Sequence, residues 1–401
     1  MQYDVAIVGA GPAGSTAAKY LSEKGIRTLL LEKTTFPRDK PCGGGLQMRV
    51  LHRFKYIQEN NLIDSYSYAL HLHCSSTEQK LDFEHTTPLQ AMVRRKTFDE
   101  GLVNLAVHSG AILQNGTTVQ DIILENEAVS VVLSDGTHIR SQLVIGADGT
   151  WSLIARKIGM RKTSQNIGVC LYNEYPVREE QMHFLYGEER AVHIHLRPHG
   201  LAGYGWVFPK KEHVNIGIVE FRQSLHSALE KKNLRIYFQH YLNVLQQHRL
   251  LPNVPSNSPV GGVFPTSSAK NLVAERVLLC GDAAGLTNPM TGEGIYSAMC
   301  SGELAAKTAL TAVENNTTDA SSLRRYHRQW NREFRMDYSF LSRLSRRWNS
   351  NVDTIIELVR RDKKLCDIIC NAIPEPQGVQ GAKWKILRRL MVSYCTDKLR
   401  K

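Results

Sequence analysis

Long apolar runs are missing from this sequence. No stretch approaches the roughly 18 residues that a membrane-spanning helix requires, so no segment is expected to cross a bilayer. The zoning of a secretory signal is absent too. Met1-Gln2-Tyr3-Asp4 runs straight into a strand-like pattern, and the expectation is a protein made and kept in the cytoplasm. Cysteine is thin and scattered, eight in 401 residues, so reduced thiols are expected rather than a disulfide framework. Cys366 and Cys370 stand one helical turn apart with no second pair nearby, which reads as packing rather than metal ligation. The histidines show no ligand spacing, and no metal site is expected. What is present, 42% hydrophobic and 22% charged residues, excludes disorder.

Negative charge is scarce in one region only. The formal net charge is +12, and residues 321–401 hold 19 Lys/Arg against 8 Asp/Glu, nearly all of the excess. Such a block attracts anionic surfaces and marks a boundary near residue 320. Within it Leu323, Tyr326, Trp330, Phe334, Tyr338, Leu341, Leu344 and Trp348 recur at helical spacing, with arginines between them. Lys383 to Lys401 again mixes Trp384, Ile386, Leu387, Leu390 and Met391 with basic residues. Two expectations follow: a helix packed on the rest of the protein with a solvated basic face, and a peripheral contact with an anionic membrane surface on its inner side. No nucleic-acid partner is expected.

The first chemical motif opens the chain. Residues 3–8 are a mostly apolar run of strand length, Gly9-Ala10-Gly11-Pro12-Ala13-Gly14 follows at once, and a helix-forming stretch runs on toward Gly25. A second strand, Thr28 to Leu31, closes with Glu32. This is the dinucleotide-binding context that gives GxGxxG its meaning. Gly9 permits the turn, Gly11 lets backbone approach a pyrophosphate, and Gly14 lets helix pack on strand. The helix start offers free N–H groups to the phosphates, and Glu32 is placed to accept from ribose hydroxyls.

Two further strands end in related turns. Leu143 to Gly149 contains Asp148, and Val277 to Gly285 contains Gly281-Asp282. Asn288-Pro289-Met290-Thr291-Gly292-Glu293-Gly294-Ile295 then opens a helix rich in small residues. Asp282 suits ribityl hydroxyls, and the Gly292, Gly294 and Ile295 helix start suits the flavin O2 edge. Three motifs in this order resemble the glutathione-reductase-like FAD domain carrying the GD motif. The implied cofactor is FAD. No second GxGxxG follows a strand after residue 14, so a separate nicotinamide domain is not expected. The reductant is then a protein such as a ferredoxin, or a reduced nicotinamide that visits transiently.

Residues 36–46 form a glycine-rich loop, Phe36-Pro37-Arg38-Asp39-Lys40-Pro41-Cys42-Gly43-Gly44-Gly45-Leu46, suited to close approach of backbone to a flat ring. Residues 201–209 alternate in period two and place Tyr204, Trp206 and Phe208 on one strand face, with Asn215 to Ile218 as the hairpin partner. Taken together, Lys40-Pro41-Cys42-Gly43, the Tyr-x-Trp-x-Phe-Pro pattern ending at Pro209, and Gly281 to Gly294 resemble the geranylgeranyl reductase family over about residues 3–310. Leu201 stands where that family often has proline.

The resemblance implies an FAD-dependent reductase that saturates isolated double bonds of polyprenyl chains, most naturally on archaeal ether lipids. Tyr204, Trp206 and Phe208 would wall the substrate, and Cys42 would lie beside the flavin as a proton donor or a guide. Cys42, Gly43, Gly45, Arg95 and Val119 join the cofactor-binding set by the same resemblance, with Val119 offering backbone to the adenine. Two other classes share parts of this pattern. Flavin hydroxylases commonly have His where this chain has Gly285, and halogenases have Trp and Ile where it has Tyr204 and Phe208. An electron carrier to quinone would bring an iron–sulfur cysteine cluster, which Cys366, Cys370 and Cys395 do not form.

The expected architecture is α/β: a Rossmann FAD domain from residues 1–68, 93–158 and 266–318, an α+β substrate-covering domain from 69–92 and 159–265, and a basic helical segment over 319–401.

Overall fold

Val5, Ala6, Ile7 and Val8 are apolar in succession, the signature of a strand covered on both faces, and all four are buried. The structure, a computed structural model, describes residues 2–74, 79–160, 165–224, 233–253 and 258–399. In it Tyr3–Val8 is central to a sheet running Val273–Ala274, Val277–Leu279, His138–Gly146, Tyr3–Val8, Thr28–Leu31, Ile112–Gln114. Its core strands pair in parallel, and Val129–Leu133 with Val119–Leu124 branch from it as an antiparallel ribbon. The helix Pro12–Ser22 crosses Ile295–Glu314 closely, because Gly302 brings its backbone against Ala13. This is the expected Rossmann layer.

The second sheet follows the order Val260–Pro265, Gln165–Pro176, His213–Ser224, Gly203–Pro209, Val192–Leu196, Ala69–Cys74, Gln79–Glu84. One face packs on the helix Leu234–Gln247, through Val207, Ile216, Ile218, Phe238 and Tyr241. The other face carries Tyr204, Trp206 and Phe208. The helix Leu234–Gln247 begins after residues 225–232, which lie outside the described set. Residues 90–92 leave this sheet and pair with 45–47 and 65–67 in a small third one.

The long helix Ala320–Arg361 starts where the charge changes, with Asp319 accepting hydrogen bonds from the Ser321 and Ser322 amides. Its stripe packs inward: Leu323, Tyr326, Trp330 and Phe334 are buried in the Rossmann core. The Tyr326 hydroxyl donates to Leu279 O and the Tyr338 hydroxyl to Leu286 O, each at 2.7 Å. Leu341 is half-buried, while the side chains of Leu344, Trp348 and Cys395 lie outside the described residues. Among the described residues no helix is long and apolar enough to cross a membrane.

Candidate active site

The phosphate turn is built as its glycines require. Gly9 has φ +101°, and a Cβ there would stand 2.3 Å from Ala147 O. A Cβ on Gly14 would stand 1.9 Å from Gly9 O, so helix and strand touch there. Gly11 differs: a Cβ there would come no nearer to protein than the Arg38 guanidinium at 3.8 Å. Glu32 is buried, accepting from Ala10 N (3.0 Å) and from the Thr34 hydroxyl (2.9 Å). Thr117 N donates to Glu32 O, which draws the segment leading to Val119 alongside. Asp148 caps the short helix Leu153–Lys157 through Oδ2 and leaves Oδ1 buried without a protein partner. Burial raises its pKa.

The flavin-side loop has the same economy. Asp282 lies behind Gly294, accepts from the Thr287 hydroxyl (3.0 Å) and pairs with Lys40 Nζ (3.1 Å). Burial works to raise the Asp282 pKa, but Lys40 and Thr287 bring it below the ordinary value. Asn288 Oδ1 accepts from Met290 N and Thr291 N and shapes the turn into Gly292 (φ +71°), Gly294 and Ile295. Both helices, Pro12–Ser22 and Ile295–Glu314, begin buried with no capping side chain and no acid in their first turn. Buried, uncapped N-termini leave N–H groups for an anion, and these two follow directly on glycine turns. These residues fit FAD: one start would take the pyrophosphate with Glu32 toward the ribose, and the other would take the flavin edge with Asp282 toward the ribityl chain.

Between the two lies the Cys42 loop. Arg95 is buried and holds Asp99 through two bonds of 2.7 Å. Burial disfavours the Arg95 charge, and Asp99, assisted by the neighbouring Cys42 thiol, more than offsets this. Gly43 and Gly45 meet the aromatic strand directly: a Cβ on Gly43 would stand 2.9 Å from the Phe208 ring and 3.2 Å from Trp206 Nε1. Tyr204 donates its hydroxyl to Thr291 O in the flavin-side loop, and burial raises its pKa, keeping it a donor. Tyr172, Phe221 and Phe264 complete the apolar patch around Trp206, with Phe264 against Gly292. Gly285 has φ +72°, and a Cβ there would stand 2.1 Å from Ser267 O, so the histidine of flavin hydroxylases has no room.

Contacts link Glu32 through Arg38 and Asp99 to Arg95, and the Gly43–Gly45 loop to Trp206 and Phe208. Sequence reading passed over Arg38, which pairs with both Asp99 (3.1 Å) and Glu32 (3.5 Å), Lys40 as the partner of Asp282, and Asn215 behind Trp206. Only the Lys40-Pro41-Cys42-Gly43 match carried a signal for any of them.

A Rossmann sheet whose helix starts at Pro12 and Ile295 each follow a glycine turn beside a carboxylate is the frame of an FAD flavoprotein. Residues 2–334 match the FAD binding domain family, and the chain is an FAD-dependent oxidoreductase of that family. It is 32% identical over 342 residues to digeranylgeranylglycerophospholipid reductase 1 of Methanopyrus kandleri, covering 84% of this chain and 88% of that one. The chain belongs to the digeranylgeranylglycerophospholipid reductase family. The geranylgeranyl bacteriochlorophyll reductase-like protein of Thermoplasma acidophilum shares the fold, with a TM-score of 0.80 over 95% of this chain and 98% of that one at 23% identity. A mutant of the halogenase PltM in complex with FAD shares it more distantly, with a TM-score of 0.65 at 15% identity over 99% of this chain and 97% of that one.

Proposed function

We propose that the chain saturates the isolated double bonds of geranylgeranyl chains on a glycerophospholipid. The observation that carries this reading is the aromatic strand face closing on the Gly43–Gly45 loop, with Tyr204 bonded into the flavin-side loop. Bound and reduced, FAD supplies the hydride. An unpolarised trisubstituted alkene does not accept hydride by itself, because the product would be an unstabilised carbanion. Protonation therefore leads, and the protein must stabilise tertiary cation character. Trp206 and Tyr204 do so with their ring faces, worth ~2 kcal/mol or more where water is excluded. Cys42, beside the Arg95 guanidinium, is the proton donor in this reading. Phe208 and Phe264 keep the chain dry and aligned.

The lipid is reached from the membrane side. The helix Lys383–Leu399 buries Ile386 but exposes Trp384, Met391, Lys385 and Arg388 together, a basic amphipathic face suited to anionic headgroups. That supports a peripheral position at the inner membrane face, and the same positive surface suits an acidic electron-donor protein such as a ferredoxin; a transiently bound reduced nicotinamide is the other donor class. The deciding experiment is an anaerobic single turnover. Dithionite-reduced protein is mixed with a geranylgeranyl glycerophospholipid, and flavin absorbance and lipid mass are followed together. Reoxidation with added hydrogen pairs is expected. Reoxidation only by oxygen with a hydroxylated or halogenated product, or only by quinone with its side chain intact, would overturn the reading.

A further inference from the structure

On the aromatic face, beside Trp206, lies a polar group that the chemistry above does not use. Asn215 is fully buried on the strand His213–Ser224, opposite Phe208 in register and beside Glu174 on the other neighbouring strand. Its Oδ1 accepts from Trp206 Nε1 at 2.7 Å. Its Nδ2 donates to the Cys42 carbonyl and to Glu174 Oε1, each at 3.3 Å. Glu174 is in turn paired with Lys210, whose side chain is only 1% exposed.

This arrangement admits one amide orientation. Indole N–H is a donor only, while a peptide carbonyl and a carboxylate are acceptors only. Rotating the amide by half a turn would set donor against donor and acceptor against acceptor in a buried site. The indole is also confined sterically, since a Cβ on Gly217 would fall 2.2 Å from its ring and one on Gly43 would fall 3.2 Å from its nitrogen. The Cys42 peptide and the Trp206 ring are thus held by one side chain, from opposite sides of the place where the loop meets the wall. The chain of bonds from carboxylate through amide to indole also has a direction. Each acceptor polarises the next donor, which moves electron density toward the indole and strengthens its attraction for a cation.

We propose that Asn215, backed by the Glu174–Lys210 pair, is a positioning residue that fixes the Trp206 ring and the Cys42 backbone relative to each other. This rests on the reading of the aromatic face as the wall of the reaction site. Asparagine is required because one side chain must both accept and donate. Aspartate keeps the shape and the acceptor but, when ionised, opposes the Cys42 carbonyl and Glu174.

The test is Asn215→Asp in the FAD-loaded protein, with Asn215→Leu as a second variant. Tryptophan is replaced by 5-fluorotryptophan, and the Trp206 fluorine resonance is assigned with Trp206→Phe. In wild type the resonance is expected to be nearly constant from pH 5 to 8. The wild-type titration absorbs whatever the surrounding groups contribute, namely Glu174, Lys210, Arg94, His213 and Cys42. In Asn215→Asp the resonance is expected to match wild type at low pH, where the new carboxyl is protonated and can donate. It should move away as pH rises. Single-turnover alkene reduction should follow with the same midpoint, falling about tenfold while the lipid concentration for half-saturation changes less than threefold. Asn215→Leu should show the displaced resonance at every pH.

A variant that keeps the wild-type resonance and rate across the range would overturn the proposal. So would a displaced resonance with an unchanged rate. If wild type itself fails to reduce the lipid, the functional reading fails, and the fluorine titration still decides whether Asn215 holds Trp206.

Discussion

Gly11 and Gly14 sit three residues apart in one motif, yet a methyl group added to each meets different matter. At Gly14 it meets the protein, 1.9 Å from Gly9 O. At Gly11 it meets open space until the Arg38 guanidinium at 3.8 Å, with φ at −76°. Gly14→Ala is therefore expected to destabilise the protein itself by about 1–3 kcal/mol, as overpacking does. Gly11→Ala should change the stability of the FAD-free protein by less than ~1 kcal/mol. It should nevertheless weaken FAD binding tenfold or more, because only the pyrophosphate needs that space. Thermal unfolding of the stripped proteins, beside flavin titration of each, separates the two cases. These glycines were legible in the sequence because strand, turn and helix are adjacent there, and the constraint is local. Arg38 and Lys40 were not, since their carboxylates at Asp99 and Asp282 lie 61 and 242 positions along the chain.

Elements behave likewise: alternation along one strand is legible, and what an adjacent strand brings to it is not. Period two along Gly203–Pro209 gave the face holding Tyr204, Trp206 and Phe208, and the hairpin partner holding Asn215, both as observed. The opposite face depends on Ala69–Cys74 pairing in parallel with Val192–Leu196, which no local pattern announces. That pairing stacks His73 on His195 at 4.1 Å between ring centres and sets His73 Nε2 2.9 Å from His193 Nδ1. Tyr241 from the covering helix adds a 2.9 Å bond to His195. Burial, then the neighbouring imidazoles, lowers the pKa of His193 to about 2, and burial with the Lys80 charge lowers that of His73 to about 4. His195 falls to about 2 for the same reason, burial first and then His73. Unfolded, each would protonate near pH 6.5, so between there and the folded value the unfolded chain binds more protons. Stability is fully present above pH 6.5 and is lost as pH falls, by on the order of 2 kcal/mol per histidine at pH 5. The melting temperature of wild type is expected to drop steeply from pH 7 to 5. His193→Gln with His195→Phe should flatten that slope, and an unchanged slope would count against the stack as its source.

At the scale of the whole molecule, the basic helical segment is joined to the flavin-side loop through the Tyr338 hydroxyl and through a buried cation. Arg49 donates to Glu293 Oε2 at 2.6 Å and to Gln380 at 2.7 Å, and its guanidinium lies 4.1 Å from the Tyr296 ring centre. Residues 49, 293 and 380 come from three distant parts of the chain. Arg49→Met would leave the Glu293 carboxylate buried and unpaired, at a cost of about 3–5 kcal/mol. Adding Glu293→Gln should recover most of that loss in thermal unfolding and restore flavin retention. With the segment anchored in this way, its outer face is free to serve another surface. Trp384 and Met391 are 66% and 63% exposed on a helix whose Ile386 is buried, and Lys385 and Arg388 lie on the exposed side. Each basic residue near an anionic bilayer contributes about 1 kcal/mol, and the two apolar side chains gain by leaving water. Replacing Trp384 and Met391 by serine should therefore weaken binding to anionic vesicles at least tenfold. Because neither side chain packs in the core, the melting temperature should stay within a degree of wild type, and turnover of detergent-dispersed lipid should be unchanged. A wild-type protein that sediments equally with neutral and anionic vesicles would remove the charged face from the account and leave the lipid to be delivered by other means.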